Sequence, residues 1–212
     1  GGNGEGSNNN QLNKPESVFV DSSGNVFIAD TKNDRIMKWV PGSTNGILVA
    51  GGNGEGNALN QFNTPRGFYI DSSGNIYVSD SENQRVIKWG PDASEGIVVA
   101  GGNGQGSGYN QFDDPRGINV DSDGNIYVAD FDNYRIMRWT PGASSGIVVA
   151  GGNGQGSAIN QFYYPYSIFI TDTSLYVADA GNHRIQKVQI AAEITIAAGD
   201  TTGTITFTGI DD

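Results

Sequence analysis

The chain has 212 residues, long enough for one domain with a substantial core, and it has no cysteine, which excludes disulfides, thiolate catalysis and cysteine-zinc sites. Its net charge of -11 disfavours phosphate backbones and anionic membranes, so neither nucleic acid binding nor membrane insertion is expected. No apolar run approaches the ~18 residues of a membrane-spanning helix.

Glycine, at 32 residues, dominates the composition and is spaced periodically. Gly1-Gly2-Asn3-Gly4 returns at residues 51–54, 101–104 and 151–154. A fixed period of 50 residues marks an array of like supersecondary units, each of which buries its faces only against its neighbours. The chain opens inside this motif, with neither an initiator methionine nor a signal peptide, as expected of a processed or excised segment.

The first unit runs over about residues 15–50, the second over 65–100 and the third over 115–150. Within the third, residues 117–120 form a short β-prone run, followed by the tight turn Asp121-Ser122-Asp123-Gly124-Asn125. Residues 126–129 make a second strand, Asp130-Phe131-Asp132-Asn133 a second turn, and Arg135-Ile136-Met137-Arg138-Trp139 alternates as a half-buried strand does. Pro141-Gly142 opens a polar loop, and residues 146–150 make the fourth strand. No stretch carries a 3.6-residue apolar period, so almost no helix is expected. The fourth unit diverges. Its first turn, Thr171-Asp172-Thr173-Ser174, is one residue shorter, Val188 replaces the tryptophan found at 39, 89 and 139, and its outer strand is placed at residues 193–197. Four short antiparallel strands per unit predict an all-β fold, a β-propeller of four blades. The blades are assigned to about residues 1–50, 51–100, 101–150 and 151–198, with 199–212 as a tail hairpin or the start of another β module.

Every unit also carries Asp-x-x-Asn-x-Arg: Asp30 with Arg35, Asp80 with Arg85, Asp130 with Arg135, and Asp179 with Arg184. Together with Pro-x-Gly/Ser, Asp-Ser-x-Gly-Asn and the strand end Tyr/Phe-Val/Ile-Ala/Ser-Asp, this resembles the NHL-repeat β-propellers over about residues 1–198. That family is usually six-bladed, whereas four blades are readable here. The tail resembles a piece of a Calx-β or immunoglobulin-like extracellular module. Some propellers similar to this family are lyases that hold zinc through several histidines, but His183 is the single histidine here. RNA-binding members present a basic face, which 12 Lys and Arg against 23 Asp and Glu do not provide.

A residue present in every unit serves the unit. The Asp of the motif is expected to organise a turn and the Arg to bond a neighbour, and the tryptophans to pack blade on blade. The segment Asp121-Ser122-Asp123-Gly124-Asn125 superficially resembles a calcium loop but lacks the further acidic ligands, so a hairpin turn is favoured and no metal is expected. Variation at equivalent positions points to function instead. The segments before the first strands read Asn13-Lys14-Pro15-Glu16, Asn63-Thr64-Pro65-Arg66, Asp113-Asp114-Pro115-Arg116 and Tyr163-Tyr164-Pro165-Tyr166. In a propeller these converge on one rim of the channel. Glu16, Arg66, Arg116, Tyr166, Tyr163, Tyr164, Asp113 and Asp114 are therefore the candidate ligand-binding residues, with Tyr109 a further ring for stacking. No catalytic residue and no cofactor are expected. The favoured reading is a non-enzymatic binding module of a secreted or cell-surface bacterial protein that contacts protein or glycan. A metal-dependent lyase or hydrolase, and a repeat that self-associates to complete a larger propeller, stand as the alternatives.

Overall fold

The computed structural model describes residues 2–190. The chain is an all-β propeller of antiparallel blades, and the only helical turns among the described residues are the 3-10 segments Thr31–Asn33, Ser81–Asn83 and Ala180–Asn182. Blade one is β1 (Pro15–Val20), β2 (Val26–Asp30), β3 (Arg35–Trp39) and β4 (Ile47–Gly51), hydrogen-bonded in that order. Blade two repeats this with β5 (Pro65–Ile70), β6 (Ile76–Asp80), β7 (Arg85–Trp89) and β8 (Ile97–Gly101). Blade three is β9 (Pro115–Val120), β10 (Ile126–Asp130), β11 (Arg135–Trp139) and β12 (Ile147–Gly151). Blade four has β13 (Pro165–Ile170), β14 (Ser174–Asp179) and β15 (Arg184–Gln189) among the described residues. The strand placed at 193–197 and the tail at 199–212 lie outside them.

The first strand of each blade starts at its proline, earlier than the residue pattern indicated, because the proline pairs with the motif aspartate across a register shift: Pro65 faces Asp80 and Pro115 faces Asp130. The hairpin that follows is closed from within. Asp121 accepts hydrogen bonds from the Asp123 and Asn125 backbone N–H groups at 3.0 and 2.8 Å and from the Asn125 amide at 2.8 Å. Asp21 and Asp71 do the same in blades one and two. These carboxylates are occupied by the turn they make.

Packing is between blades. One apolar cluster joins Phe27, Ala29, Ile36 and Ala50 of blade one to Phe62, Phe68, Ile76, Val78, Ile87 and Trp89 on the blade-two side. The next joins Tyr77, Val86 and Ala100 to Phe112, Ile118, Val120, Ile126, Val128, Met137 and Trp139. The third joins Tyr127, Ala129 and Ile136 to Phe162, Ile168, Leu175 and Val177. At each of these three junctions a forward face (an aromatic, a small residue, a β-branched residue) meets a rear face (a phenylalanine and a column of aliphatics). Trp89 and Trp139 sit in the first two clusters. Near the axis the first strands almost touch: a Cβ on Gly67 would collide with the Arg116 carbonyl oxygen, and one on Gly117 would lie 2.6 Å from Ser167 Cα.

The Asp and Arg of the repeat motif tie the glycine-rich connection to the blade. Asp130 is fully buried; it accepts from Arg135 Nε at 2.7 Å, from the Asn133 amide at 3.0 Å and from the Asp113 N–H at 2.7 Å. The rest of the Arg135 guanidinium donates to the carbonyl oxygens of Ser107, Gly108 and Gln111 at 2.7, 2.9 and 3.2 Å. Asp30 with Arg35, Asp80 with Arg85 and Asp179 with Arg184 repeat the arrangement. The arginine's neighbour is therefore the loop leading into its own blade. Stripping one partner from such a buried pair leaves an uncompensated charge, at a cost of about 3–5 kcal/mol. Asp130→Ala is expected to lose that much in denaturant unfolding. Arg184→Ala is expected to lose distinctly less than Arg135→Ala, because the Arg184 side chain is 32% exposed and that of Arg135 only 6%.

Candidate functional site

The rim begins with backbone geometry. The residue before each blade's proline is left-handed: φ is +47° at Lys14, +57° at Thr64, +52° at Asp114 and +57° at Tyr164. Lysine, threonine and tyrosine enter this region at a cost of about 1–2 kcal/mol each, so surrounding bonds must enforce it. At junctions one–two and two–three the enforcement is polar. The Thr64 N–H donates to Asp34 Oδ1 at 2.8 Å, and the Asp114 N–H donates to Gln84 Oε1 at 2.9 Å. The Pro65 carbonyl accepts from the Thr31 hydroxyl at 2.9 Å, and the Pro115 carbonyl from the Ser81 hydroxyl at 2.6 Å.

At junction three–four the same two positions hold Phe131 and Tyr134, and aromatic packing takes over. Phe131 stacks on Tyr164 with centroids 4.6 Å apart and planes at 16°. Tyr134 lies 5.8 Å from Tyr164 and 6.3 Å from Tyr163, and Tyr163 lies 4.3 Å from Tyr164. Gly181 makes room for this cluster, since a Cβ there would meet the Tyr163 ring at 2.5 Å. The Arg116 guanidinium sits 3.4 Å above the Phe131 centroid and 4.9 Å from that of Tyr166, a cation–π placement worth about 0.5–2 kcal/mol.

The four equivalent positions 16, 66, 116 and 166 meet one another. Arg66 binds both carboxylate oxygens of Glu16, at 2.9 and 3.1 Å, and approaches Asp114 at 3.2 Å. Asp114 accepts from Arg116 at 2.6 and 3.0 Å, and the Tyr166 hydroxyl donates to Glu16 at 3.1 Å. All four blades therefore contribute to one polar and aromatic cluster. Within it, Arg66 Nε and Asp114 Oδ1 are paired by charge but lack a well-aligned hydrogen bond. Burial, then the charge of Glu16, pushes the Tyr166 phenol up, so it remains a donor at neutral pH. Burial and the neighbouring Asp114 and Asp113 push the Asp132 carboxyl up, while Arg116 and Arg66 pull it down.

Of the sequence-predicted residues, Glu16, Arg66, Asp114, Arg116, Tyr163, Tyr164 and Tyr166 come together. Asp113 does not: its N–H donates to Asp130 and its carboxylate accepts from Gln105 at 2.8 Å, facing its own loop. Tyr109 stays apart in the glycine-rich connection, 65% exposed. Phe131 and Tyr134 were missed by sequence reasoning, although the signal was present: they replace Thr31 or Ser81 and Asp34 or Gln84 in an otherwise regular array. Among the described residues, no three His, Cys, Asp or Glu side chains are placed to hold a metal ion.

The sequence matches the NHL repeat family over residues 62–89 and 112–138, the units of blades two and three. No curated protein matches it. Among solved structures it is similar to a protein of unknown function from Bacteroides thetaiotaomicron, with 23% identity and a TM-score of 0.66, covering 82% of this chain and 46% of that one. It is similar to streptogramin B lyase, with 16% identity and a TM-score of 0.54, covering 90% of this chain and 57% of that one. It is also similar to an auxiliary nutrient binding protein from Bacteroides ovatus, with 15% identity and a TM-score of 0.60, covering 85% of this chain and 49% of that one. The chain spans about half the length of these proteins, and at such identities the likeness shows the fold.

Phe131→Ser returns junction three–four to the arrangement of Ser81. It forfeits ring contacts worth about 0.5–1.5 kcal/mol and supplies a hydroxyl for the Pro165 carbonyl, worth about 1 kcal/mol. The Arg116 contact over the ring, worth about 0.5–2 kcal/mol, is lost as well, so a net loss of stability of up to about 2.5 kcal/mol is expected in denaturant unfolding. The near-ultraviolet circular dichroism of the coupled tyrosines is expected to fall sharply.

Proposed function

We propose that this chain is a binding module and that the rim cluster around Arg66, Arg116 and Tyr166 holds a protein or glycan ligand. The observation that carries the reading is the convergence of four equivalent positions, one per blade, that hold three different residue types: Glu16, Arg66, Arg116 and Tyr166. Residues that serve the scaffold recur in all units; these do not. Two guanidinium groups beside carboxylates and flat rings suit a hydroxyl-rich or mixed-charge ligand, and aromatic rings bind sugar faces and apolar side chains alike. The likeness to a nutrient binding protein supports a binding role.

A catalytic reading has less support. The one histidine, His183, is exposed at the end of a 3-10 turn, where it caps Ala180–Asn182 rather than joining the rim cluster. A secreted or cell-surface site in a bacterium is part of the proposal, supported by the tail's resemblance to extracellular modules and by structural neighbours from Bacteroides.

The test is a glycan array and an extracellular-protein panel probed with the wild-type chain, with Arg116→Ala and with Tyr166→Ala. A ligand retained by wild type and weakened at least tenfold by either variant is the expected result. Ligands held equally by all three place binding elsewhere and overturn the assignment of the rim.

A further inference from the structure

A groove of about 830 Å³ runs along junction one–two, at the end of the blades opposite the rim cluster, beside the Asp21 and Asp71 turns. That is the size of a small-molecule site. Its floor is apolar: Phe19, Phe27, Ile70 and Ile76 line it, with Phe19 edge-on to Phe27 at 6.4 Å. At its outer lip Ile47 and Leu48 are 53% and 47% exposed.

The groove is lined by residues at which the repeat departs from itself. Phe27 stands where blades two, three and four carry Tyr77, Tyr127 and Tyr176. Gly90 stands where blades one and three carry Val40 and Thr140, and a Cβ on it would meet nothing nearer than 3.9 Å. Both changes remove atoms from the groove. Asp92, with φ of +57°, takes the left-handed position that Gly42 and Gly142 fill in their blades, and it adds a carboxylate to the edge.

The absent phenol indicates the chemistry of the occupant. In blade two the Tyr77 hydroxyl donates to Asp71 Oδ2 at 3.3 Å. Phe27 brings no such donor to Asp21, whose Oδ2 accepts from the Asn25 amide at 2.7 Å and has room for a second bond. Charge points the same way. Asp21, Asp71 and Asp92 line the groove with one ammonium, that of Lys38, which lies 5.3 Å from the Phe27 centroid. The Asn25 amide holds the Asp21 carboxyl below its usual range. Burial opposes this at Asp71, but bonds from Asn75 and Ser73 outweigh it, so that carboxyl is held low as well. An aromatic floor edged by carboxylates suits a donor that is positively charged and carries apolar surface.

We propose that this groove binds a small arylalkylamine, whose ammonium donates to Asp21 in place of the missing tyrosine hydroxyl and whose ring lies against Phe19 and Phe27. The site is separate from the rim cluster, and neither assignment rests on the other.

The test is a titration of the isotope-labelled chain with phenethylamine at low salt, followed by backbone amide NMR. Phenethyl alcohol and phenylacetate serve as the uncharged and anionic counterparts. The amine is expected to give saturable shifts at Ser72, Gly74, Gly90 and Ala93. The alcohol and the acid are expected to bind more weakly by about tenfold or more. Phe27→Tyr and Gly90→Thr install residues that other blades already carry at these positions, so the fold is retained. Each is expected to weaken amine binding by about fivefold or more, through the filled space and the restored internal donor. Arg116→Ala is expected to leave it unchanged. The absence of saturable shifts through about 10 mM amine overturns the proposal. So does equal binding of the acid or the alcohol, and so does amine binding that survives both Phe27→Tyr and Gly90→Thr.

Discussion

The buried carboxylate at the end of each second strand is the constraint on which the rest of this structure depends. One Asp side chain satisfies an arginine, an asparagine and a backbone N–H from the segment that enters the blade. A charge held in a dry site keeps its partners because none can leave without stranding another. The arginine then reaches carbonyl oxygens of a glycine-rich connection that has little side-chain surface of its own to bury. The loop is therefore ordered by its carbonyls, and this is why the connection tolerates so much glycine. Gly51 shows the reverse dependence: with φ of +71° and the Phe62 ring and the Asp34 carbonyl against it, no other residue fits.

Because the loop and the proline that follows it are positioned by the blade, the rim side chains are presented rather than built in. The three junctions show how much chemistry the frame accepts. Two are fastened at the rim by a hydroxyl and a carboxylate or amide acceptor, the third by a stack of rings. The pair at positions 55 and 63 makes the same point on a smaller scale. Asn63 donates to Glu55 in blade two, while Gln105 donates to Asp113 in blade three: one hydrogen bond, with donor and acceptor exchanged.

Much of the fold was legible because period and turn chemistry agree. The strand Arg135–Trp139 and the turn at Asp121 could be read from alternation and from Asp-x-x-Gly-Asn alone. The proline-initiated start of each first strand could not, since it rests on a register shift set by a partner strand. At the rim, the convergence of positions 16, 66, 116 and 166 followed from the repeat. The joining of Phe131 and Tyr134 to them did not, because those residues come from the preceding blade's second turn, and only the junction brings them near. Asp113 misled for a related reason: adjacent residues in a left-handed turn point different ways, so Asp114 enters the cluster while Asp113 turns back to its loop.

Every junction among the described blades is of one kind, a forward face set on a rear face. A 50-residue unit gained or lost between two blades would meet its neighbours through that same contact. Blade number is then a variable that duplication or deletion can move in whole steps.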